Sequence, residues 1–125
     1  MKLRIKDNSL RFRLTRSEVD ALHQLGRVSA ETAFPNGGTS FSYTLATRTD
    51  GQGNANFAQG QIVVTLDAKQ VEQWASTAEV GITFELPLDS GDALVVLIEK
   101  DFNCLVVRSG ENETDHFQNP LSERE

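Results

Sequence analysis

One succession of patterns occurs twice along this chain: two alternating segments, a helical segment and two more alternating segments. At the start, apolar and basic residues alternate over 2–6, and apolar residues return at every second position over 10–14, after the turn pair Asp7-Asn8. Alternation with period two on both sides of a turn indicates a β-hairpin with one buried face. The chain is therefore predicted to open with two paired strands.

A helix and a second hairpin follow the first. Thr15 and Glu18 have the spacing of a capping box, and Gly26 stands where helices commonly end in a glycine. Alternating apolar positions over 28–34 and 41–45 then flank a loop that is rich in turn-forming residues. The first unit is therefore predicted as strand, strand, helix, strand, strand.

The same succession returns after a shift of 52 positions, which carries Leu14 onto Leu66 and Val19 onto Val71. Other inward positions keep their apolar character and one proline is retained: Ile5 on Phe57, Leu10 on Ile62, Phe12 on Val64, Leu22 on Trp74, Val28 on Val80, Ala30 on Ile82, Phe34 on Leu86 and Pro35 on Pro87. One additional residue in the later loop aligns the last strands: Phe41, Tyr43 and Leu45 on Leu94, Val96 and Ile98. The second half is therefore predicted to contain the same elements as the first.

We interpret the chain as a tandem ββαββ duplication, with units at 2–47 and 54–100, inside a single domain that spans 1–125. One further strand is predicted at 101–108, and a polar, acidic tail at 109–125. The alternative is two unrelated segments that both follow generic amphipathic patterning.

The predicted fold class is α+β, with two helices on a mostly antiparallel sheet. Each helix has about one apolar stripe and should therefore lie against one face of a sheet. The segments 93–98 and 104–107 are apolar at every position, which indicates strands that are covered on both faces. Either the sheet is strongly curved or barrel-like, or a second copy of the chain covers its outer face.

Charge and composition narrow the class of partner. The 125 residues include 18 acidic and 12 basic side chains, and the resulting net charge of −6 opposes binding to nucleic acid. No apolar run approaches the roughly 20 residues that a membrane span needs. A single cysteine, Cys104, excludes an internal disulfide and suits a reducing compartment. We therefore expect a cytoplasmic protein without nucleic-acid or membrane partners.

Basic residues gather on the first predicted hairpin. Lys2, Arg4 and Lys6 share one face of the first strand, and Arg11 and Arg13 should lie beside them on the second strand. The second unit has no cations at the corresponding positions, which favours a site for a small anionic, phosphate-bearing ligand in one unit. The alternative is that these cations pair with carboxylates of the chain itself: Glu31, Glu85, Glu99 or the acidic tail.

A polar cluster follows the apolar segment 93–98. Glu99 and Asp101 come directly after this buried strand, where ionisable groups often have a functional role. Cys104 could act as a nucleophile only with a base, and His116 in the acidic tail is a candidate for that role. The simpler interpretation is a polar turn between two core strands, followed by a buried, unreactive thiol.

No metal site and no cofactor are predicted. One cysteine and two histidines cannot supply the recurrent ligand spacing of a zinc site. The sequence also lacks the glycine-rich motifs that bind dinucleotides and nucleotide phosphates.

Three stretches together resemble a family of small bacterial proteins of unknown function: residues 1–19 (MKLRIKDNSLRFRLTRSEV), 99–105 (EKDFNCL) and 115–120 (DHFQNP). The likeness covers nearly the whole chain. The resemblance implies a bacterial, self-contained domain, and it carries over no activity, substrate or catalytic residue.

The leading functional hypothesis is a non-catalytic binding or self-associating module, in which two copies meet through the segments 93–98 and 104–107. The first rival is a binder of a small anionic ligand at the N-terminal basic hairpin. The second rival is an enzyme with four candidate residues: Glu99, Asp101, Cys104 and His116.

Overall fold

The structure is a computed structural model that describes residues 1–38 and 40–102. The described residues form eight strands and two helices, in the order ββαββ twice. In chain order the elements are β1 (Lys2–Lys6), β2 (Ser9–Leu14), α1 (Arg16–Leu25), β3 (Arg27–Ala33), β4 (Ser40–Arg48), β5 (Asn54–Ala58), β6 (Gln61–Asp67), α2 (Ala68–Ser76), β7 (Gly81–Pro87) and β8 (Ala93–Lys100).

The strands form two four-stranded sheets, and each sheet combines one hairpin from each half of the chain. The first sheet has the order β1-β2-β8-β7, and the second has the order β3-β4-β6-β5. The central pairs β2/β8 and β4/β6 are parallel, whereas the outer pairs are antiparallel. The α+β class is confirmed, but two separate mixed sheets stand where one curved or barrel-like sheet was expected.

The division into two sheets follows from the paths of the helices. Helix α1 leads from β2 in the first sheet to β3 in the second, and α2 leads from β6 in the second sheet to β7 in the first. Because each strand has an apolar face toward the interior, two facing sheets with helices at one end bury most of those faces together. The ring centroids of Phe12 and Tyr43, one from each sheet, lie 6.3 Å apart across this core.

The core is one continuous apolar cluster that draws on both sheets and both helices. Val19 and Leu22 face it from α1, and Val71 and Trp74 face it from α2, as their helical spacing predicts. Trp74 is fully buried, and its indole N–H donates to the carbonyl of Val80 at 3.0 Å. The other buried apolar side chains come from the strands: Leu10, Phe12, Leu14, Leu45, Ile62, Val64, Leu66, Ile82, Val96 and Ile98.

The two halves follow the same pairing register at the parallel junctions. Leu10 lies opposite Val96 in the first sheet, and Ile62 lies opposite Tyr43 in the second. These pairs correspond under the sequence alignment, which sets Leu10 on Ile62 and Tyr43 on Val96. The strands of the two halves therefore pair in the same register at the two parallel junctions.

The proposed alignment of β3 with β7 is wrong by two residues. Val28 pairs with Leu45, whereas the residue that pairs with Ile98 is Ile82, not Val80. Ala30, Phe34 and Pro35 are displaced by the same two positions from their predicted counterparts. The reason lies in the helix ends, because β3 begins directly after Gly26 whereas four residues, 77–80, separate α2 from β7.

The strand β8 is central in the first sheet, between β2 and β7. Its inner residues Val96 and Ile98 are buried, and its outer residues Val95 and Leu97 are partly buried. Both edges of β8 are occupied, so the predicted association of two copies through 93–98 is not available as strand pairing.

Asp101 and Phe102 have no strand structure. The rest of the strand predicted at 101–108, including the apolar segment 104–107, lies outside the described residues, as does the tail at 109–125. Within the described part of the chain, no helix has the length and apolar character needed to cross a membrane.

Candidate functional site

The five predicted cations lie together on the outer face of the first sheet. In the β1/β2 ladder, Lys2 lies opposite Arg13 and Arg4 lies opposite Arg11, while Lys6 is at the turn end of β1. We call this surface the basic face: Lys2, Arg4, Lys6, Arg11 and Arg13. A shallow depression of about 240 Å³ lies between the side chains of β1 and β2.

Glu99 joins the basic face from the neighbouring strand β8. The parallel register sets Glu99 beside Arg13, with Leu97 beside Arg11. The Nε atom of Arg11 donates to Glu99 Oε1 at 2.9 Å, and the Nε atom of Arg13 lies 3.5 Å from the same oxygen. Asp101 is 3.1 Å from the ammonium group of Lys2. Two groups that were predicted separately, the basic hairpin and the carboxylates Glu99 and Asp101 at the end of β8, thus form one charged network.

The network confirms part of the predicted internal pairing. Glu99 is a partner of the cations, whereas Glu85 lies three strands away from Lys6 in the same row, about 14 Å at roughly 4.8 Å per strand. Glu31 belongs to the second sheet. Among the described residues, Arg4 and Lys6 form no salt bridge.

The predicted enzyme site is not complete within the described part of the chain. Lys100 donates to the carbonyl of Thr77 at 2.8 Å and lies 5.9 Å from the ring of Trp74, so it ties β8 to the end of α2. Cys104 and His116 lie outside the described residues. Across 1–38 and 40–102, no three His, Cys, Asp or Glu side chains are grouped to hold a metal ion.

An apolar cleft opens between the sheets at the end of the molecule opposite the helices. Its volume is about 290 Å³, close to the lower limit for pockets that bind small molecules. At its rim, Ile5 is 55% exposed and Phe57 is 65% exposed. The lining comes from both sheets: Ile5, Leu10, Phe41, Ala55, Asn56, Phe57, Ile62 and Leu94.

The apolar cleft was not predicted from the sequence, although most of the positions that line it were aligned there as inward-facing residues. Three pairs that the shift aligns meet there: Ile5 and Phe57, Leu10 and Ile62, Phe41 and Leu94. All six belong to the strand ends farthest from the helices, where neither half supplies a covering element. Their alternation predicts burial in a sheet, but only the arrangement of two facing sheets shows that this end stays open.

The strand β5 forms one side of the apolar cleft and is an edge of the second sheet. Within the described part of the chain it is the one edge strand that contains neither a charged residue nor proline (Asn54–Ala58, NANFA). The edges β1 and β3 contain charged residues, and β7 contains Glu85 and Pro87. Charges and prolines are the usual protection of sheet edges against pairing with another chain, so β5 is an unprotected edge.

Two residues of β5 present their backbone groups outward. Gln59 and Gly60 form the two-residue turn to β6, with φ angles of 54° and 76° that are typical of a type I′ turn. Residues that flank such a turn bond to each other, and hydrogen-bonded pairs then alternate along an antiparallel ladder. The amide and carbonyl groups of Ala55 and Phe57 therefore point away from β6, at the open edge.

Comparison with protein families matches the family described as Family of unknown function (DUF7009) to residues 1–121. A search of the curated proteins and a search of the solved structures each found no match. The expected resemblance to an uncharacterised family is thereby confirmed, and no activity comes with it. The match covers the two sheets, both helices and the charged network, so the chain belongs to DUF7009, a family of unknown function.

Proposed function

We propose that the protein is a non-catalytic binding module, built from a duplicated ββαββ unit, that associates with a second copy of itself along β5. The observation that carries the proposal is an unprotected edge strand with an exposed Phe57 beside an apolar cleft. Strand addition at an open edge gains affinity from main-chain hydrogen bonds, and neighbouring pockets accept the side chains of the added strand.

The residues of β5 are self-complementary when two copies pair in antiparallel fashion. Pairing centred on Asn56 sets Phe57 of each copy opposite Ala55 of the other, and Asn54 opposite Ala58. Ala55 and Phe57 are the residues whose backbone groups are free, so these pairs exchange main-chain hydrogen bonds in this register. No charged side chain is opposed to another.

The cleft gives Phe57 of the second copy a place to bind. That ring stands beside Ala55, whose small side chain lines the apolar cleft and leaves room for an aromatic neighbour. Full burial of such a side chain contributes roughly 1.5–3 kcal/mol. Two symmetric contacts of this kind reinforce the short strand pairing.

Pairing of two copies is favoured at β5 over the other sheet edges because those edges contain charged residues. The corresponding edge β1 would bring its own cations against those of another chain, which is unfavourable for directly opposed residues. The edge β7 has Pro87 and Glu85. We place the contact at β5 and not at the predicted segment 93–98 because both edges of β8 are occupied, whereas β5 offers an open edge.

Charge variants at Asn56 test the proposal, with the solution mass measured by light scattering over a concentration series. Asn56 is exposed and meets itself across the proposed axis, so Asn56→Lys or Asn56→Asp opposes two like charges. We expect a dimeric wild type and a monomeric form of each variant. We also expect that an equimolar mixture of the two variants recovers the dimer mass, because lysine then faces aspartate.

The matched control is Asn54→Lys, the same change on the same face of β5 but opposite the uncharged Ala58. This variant should remain dimeric. A wild type that is monomeric at every concentration would overturn the proposal and would leave the edge free for an extended segment of a different protein. A mixture of the Asn56 variants that stays monomeric would overturn the proposed register.

A further inference from the structure

The basic face carries features that self-association along β5 does not use, because it lies on the other sheet. We propose that it contains one oxyanion site per chain, formed by Arg11, Arg13 and Arg4 and positioned by Glu99, for a small phosphate-bearing molecule. The inference rests on how Glu99 holds two guanidinium groups.

A single carboxylate oxygen of Glu99 contacts the Nε atom of both Arg11 and Arg13. One carboxylate oxygen lies 2.9 Å from Arg11 Nε and 3.5 Å from Arg13 Nε. The terminal Nη groups of both arginines have no hydrogen-bond acceptor among the described residues. Glu99 thus hydrogen-bonds to the Nε of Arg11 and forms an ion pair with Arg13, and within the described part of the chain the Nη groups of both arginines remain available to an anion.

The third arginine, Arg4, lies close to Arg11 on the neighbouring strand. Arg4 is directly opposite Arg11 in the antiparallel ladder, which sets the two Cα atoms roughly 4.5–5.5 Å apart. Arg4 forms no salt bridge with any described residue. All three arginines are therefore among the residues that line the depression of about 240 Å³ between β1 and β2.

The chemistry of the site selects the ligand class. A guanidinium group donates two parallel hydrogen bonds to a phosphate or carboxylate, which a lysine ammonium group cannot do in the same geometry. Several arginines around one depression suit an anion with more than one charge, such as a phosphate group. The net charge of −6 opposes a long polyanion, so a small molecule is favoured over nucleic acid.

The site belongs to the first half of the chain alone. The aligned positions in the second half are occupied by Asn56 where the first has Arg4, and by Val63 and Thr65 where it has Arg11 and Arg13. One site per chain is therefore expected, and a dimer formed along β5 would contain two.

Calorimetric titration of the full chain with inorganic pyrophosphate, at constant ionic strength, tests the proposal. The wild type should bind with saturation and a stoichiometry of one. The double variant Arg11→Lys/Arg13→Lys keeps the charge and loses the guanidinium forks, so its affinity should fall about tenfold or more, the equivalent of one lost charge-assisted hydrogen bond. Arg27→Ala removes an exposed arginine from the other sheet and should leave the affinity unchanged.

Glu99→Ala separates a positioned site from simple accumulation of charge. Removal of this carboxylate raises the local positive charge, so a diffuse cationic surface would bind pyrophosphate more tightly. The proposed role of Glu99 predicts weaker binding, because the arginines lose the group that orients them. Circular dichroism confirms that each variant is folded. Absence of saturable binding in the wild type, equal affinity in the lysine variant, or tighter binding by Glu99→Ala would each overturn the proposal.

Discussion

At the scale of single residues, the hydroxyl group of Thr65 is a buried polar atom that lacks a hydrogen-bond partner among the described residues. Thr65 lies on the outer face of β6, between Ala46 and Asn54 on the neighbouring strands. A buried hydroxyl without a partner loses its hydration and gains nothing in return. Thr65 therefore makes the protein less stable than an apolar residue of the same shape would at this position.

Thr65→Val should stabilise the protein by about 1 kcal/mol, because it removes the unsatisfied hydroxyl and keeps a β-branched side chain in a strand. The expected rise in Tm, measured by calorimetry, is a few degrees for a domain of this size. The control is Thr83→Val on β7, where the side chain is exposed and the effect should be close to zero. A lower Tm for Thr65→Val would contradict the argument.

Glu18 is the residue for which the sequence predicted a detailed contact correctly. Its side chain accepts a hydrogen bond from the backbone N–H of Thr15 at 2.8 Å, and the Thr15 hydroxyl accepts from the backbone N–H of Glu18 at 3.4 Å, which completes the predicted capping box. Glu18 also contacts the α-ammonium group of Met1, a partner that local spacing cannot predict. Burial raises the pKa of Glu18, but the bonds from the ammonium group and from Thr15 outweigh it and lower the pKa below its ordinary value.

A lowered pKa in the folded state makes the stability depend on pH in a definite direction. The contribution of the Glu18 charge is present above the unfolded pKa, at about pH 5 and higher, and is lost as the pH falls through the lowered pKa. Glu18→Gln keeps a side-chain oxygen for the capping box and removes the charge. Urea unfolding should show the wild type more stable than Glu18→Gln at pH 6, with the difference shrinking towards pH 3. A difference that is the same at both pH values would contradict this assignment.

At the scale of elements, the ends of the two helices determine where the next strand begins. Gly26 ends α1 with φ of 79°, and its amide N–H donates to the carbonyl of Leu22 at 3.0 Å, so the chain turns directly into β3. The helix α2 ends at Ser76 and is capped by Thr77 instead of a glycine, and Val80 is left more than half exposed before β7 starts. This difference displaced the predicted alignment of β7 by two residues.

Gly26→Ala should therefore destabilise the protein by more than the roughly 1 kcal/mol that a left-handed conformation costs an alanine. A Cβ atom at this position would lie 3.1 Å from the hydroxyl of Thr47, in addition to the strained backbone. Gly51→Ala is the matched control, since its φ is 82° and nothing lies within 4 Å of an added Cβ. Denaturant unfolding should show a larger loss of stability for Gly26→Ala than for Gly51→Ala. Equal losses of stability would show that the contact with Thr47 has no cost.

At the scale of the whole molecule, hairpins from the two halves combine in each sheet. Local sequence patterns predict the position of each strand and each turn, but they do not predict which strands lie side by side. The parallel junctions β2/β8 and β4/β6 join residues that are far apart in sequence, and only their side-chain packing selects them. A single curved sheet and two facing sheets satisfy the same alternation, so the sequence could not distinguish them.

The same limit explains what was predicted of the candidate sites. Alternation within one hairpin placed Lys2, Arg4, Lys6, Arg11 and Arg13 on one face, because a hairpin is local in sequence. Their partner Glu99 belongs to a strand almost ninety residues later. The sequence left open whether Glu31, Glu85, Glu99 or the acidic tail pairs with the cations, because the choice depends on the strand order. The apolar cleft and the open edge β5 depend on the arrangement of both sheets and had no local signal of their own.

The alternation of buried and exposed faces, the capping box of α1 and the succession ββαββ could be predicted from the amino-acid sequence, because they depend on interactions between residues that are neighbours along the chain. Three further features are seen only in the three-dimensional arrangement: hairpins from different halves pair, Glu99 contacts two arginines, and β5 forms an unprotected edge beside an apolar cleft. Those outcomes depend on which apolar faces pack together, and that choice is made by the energy of the whole core rather than by any segment of it.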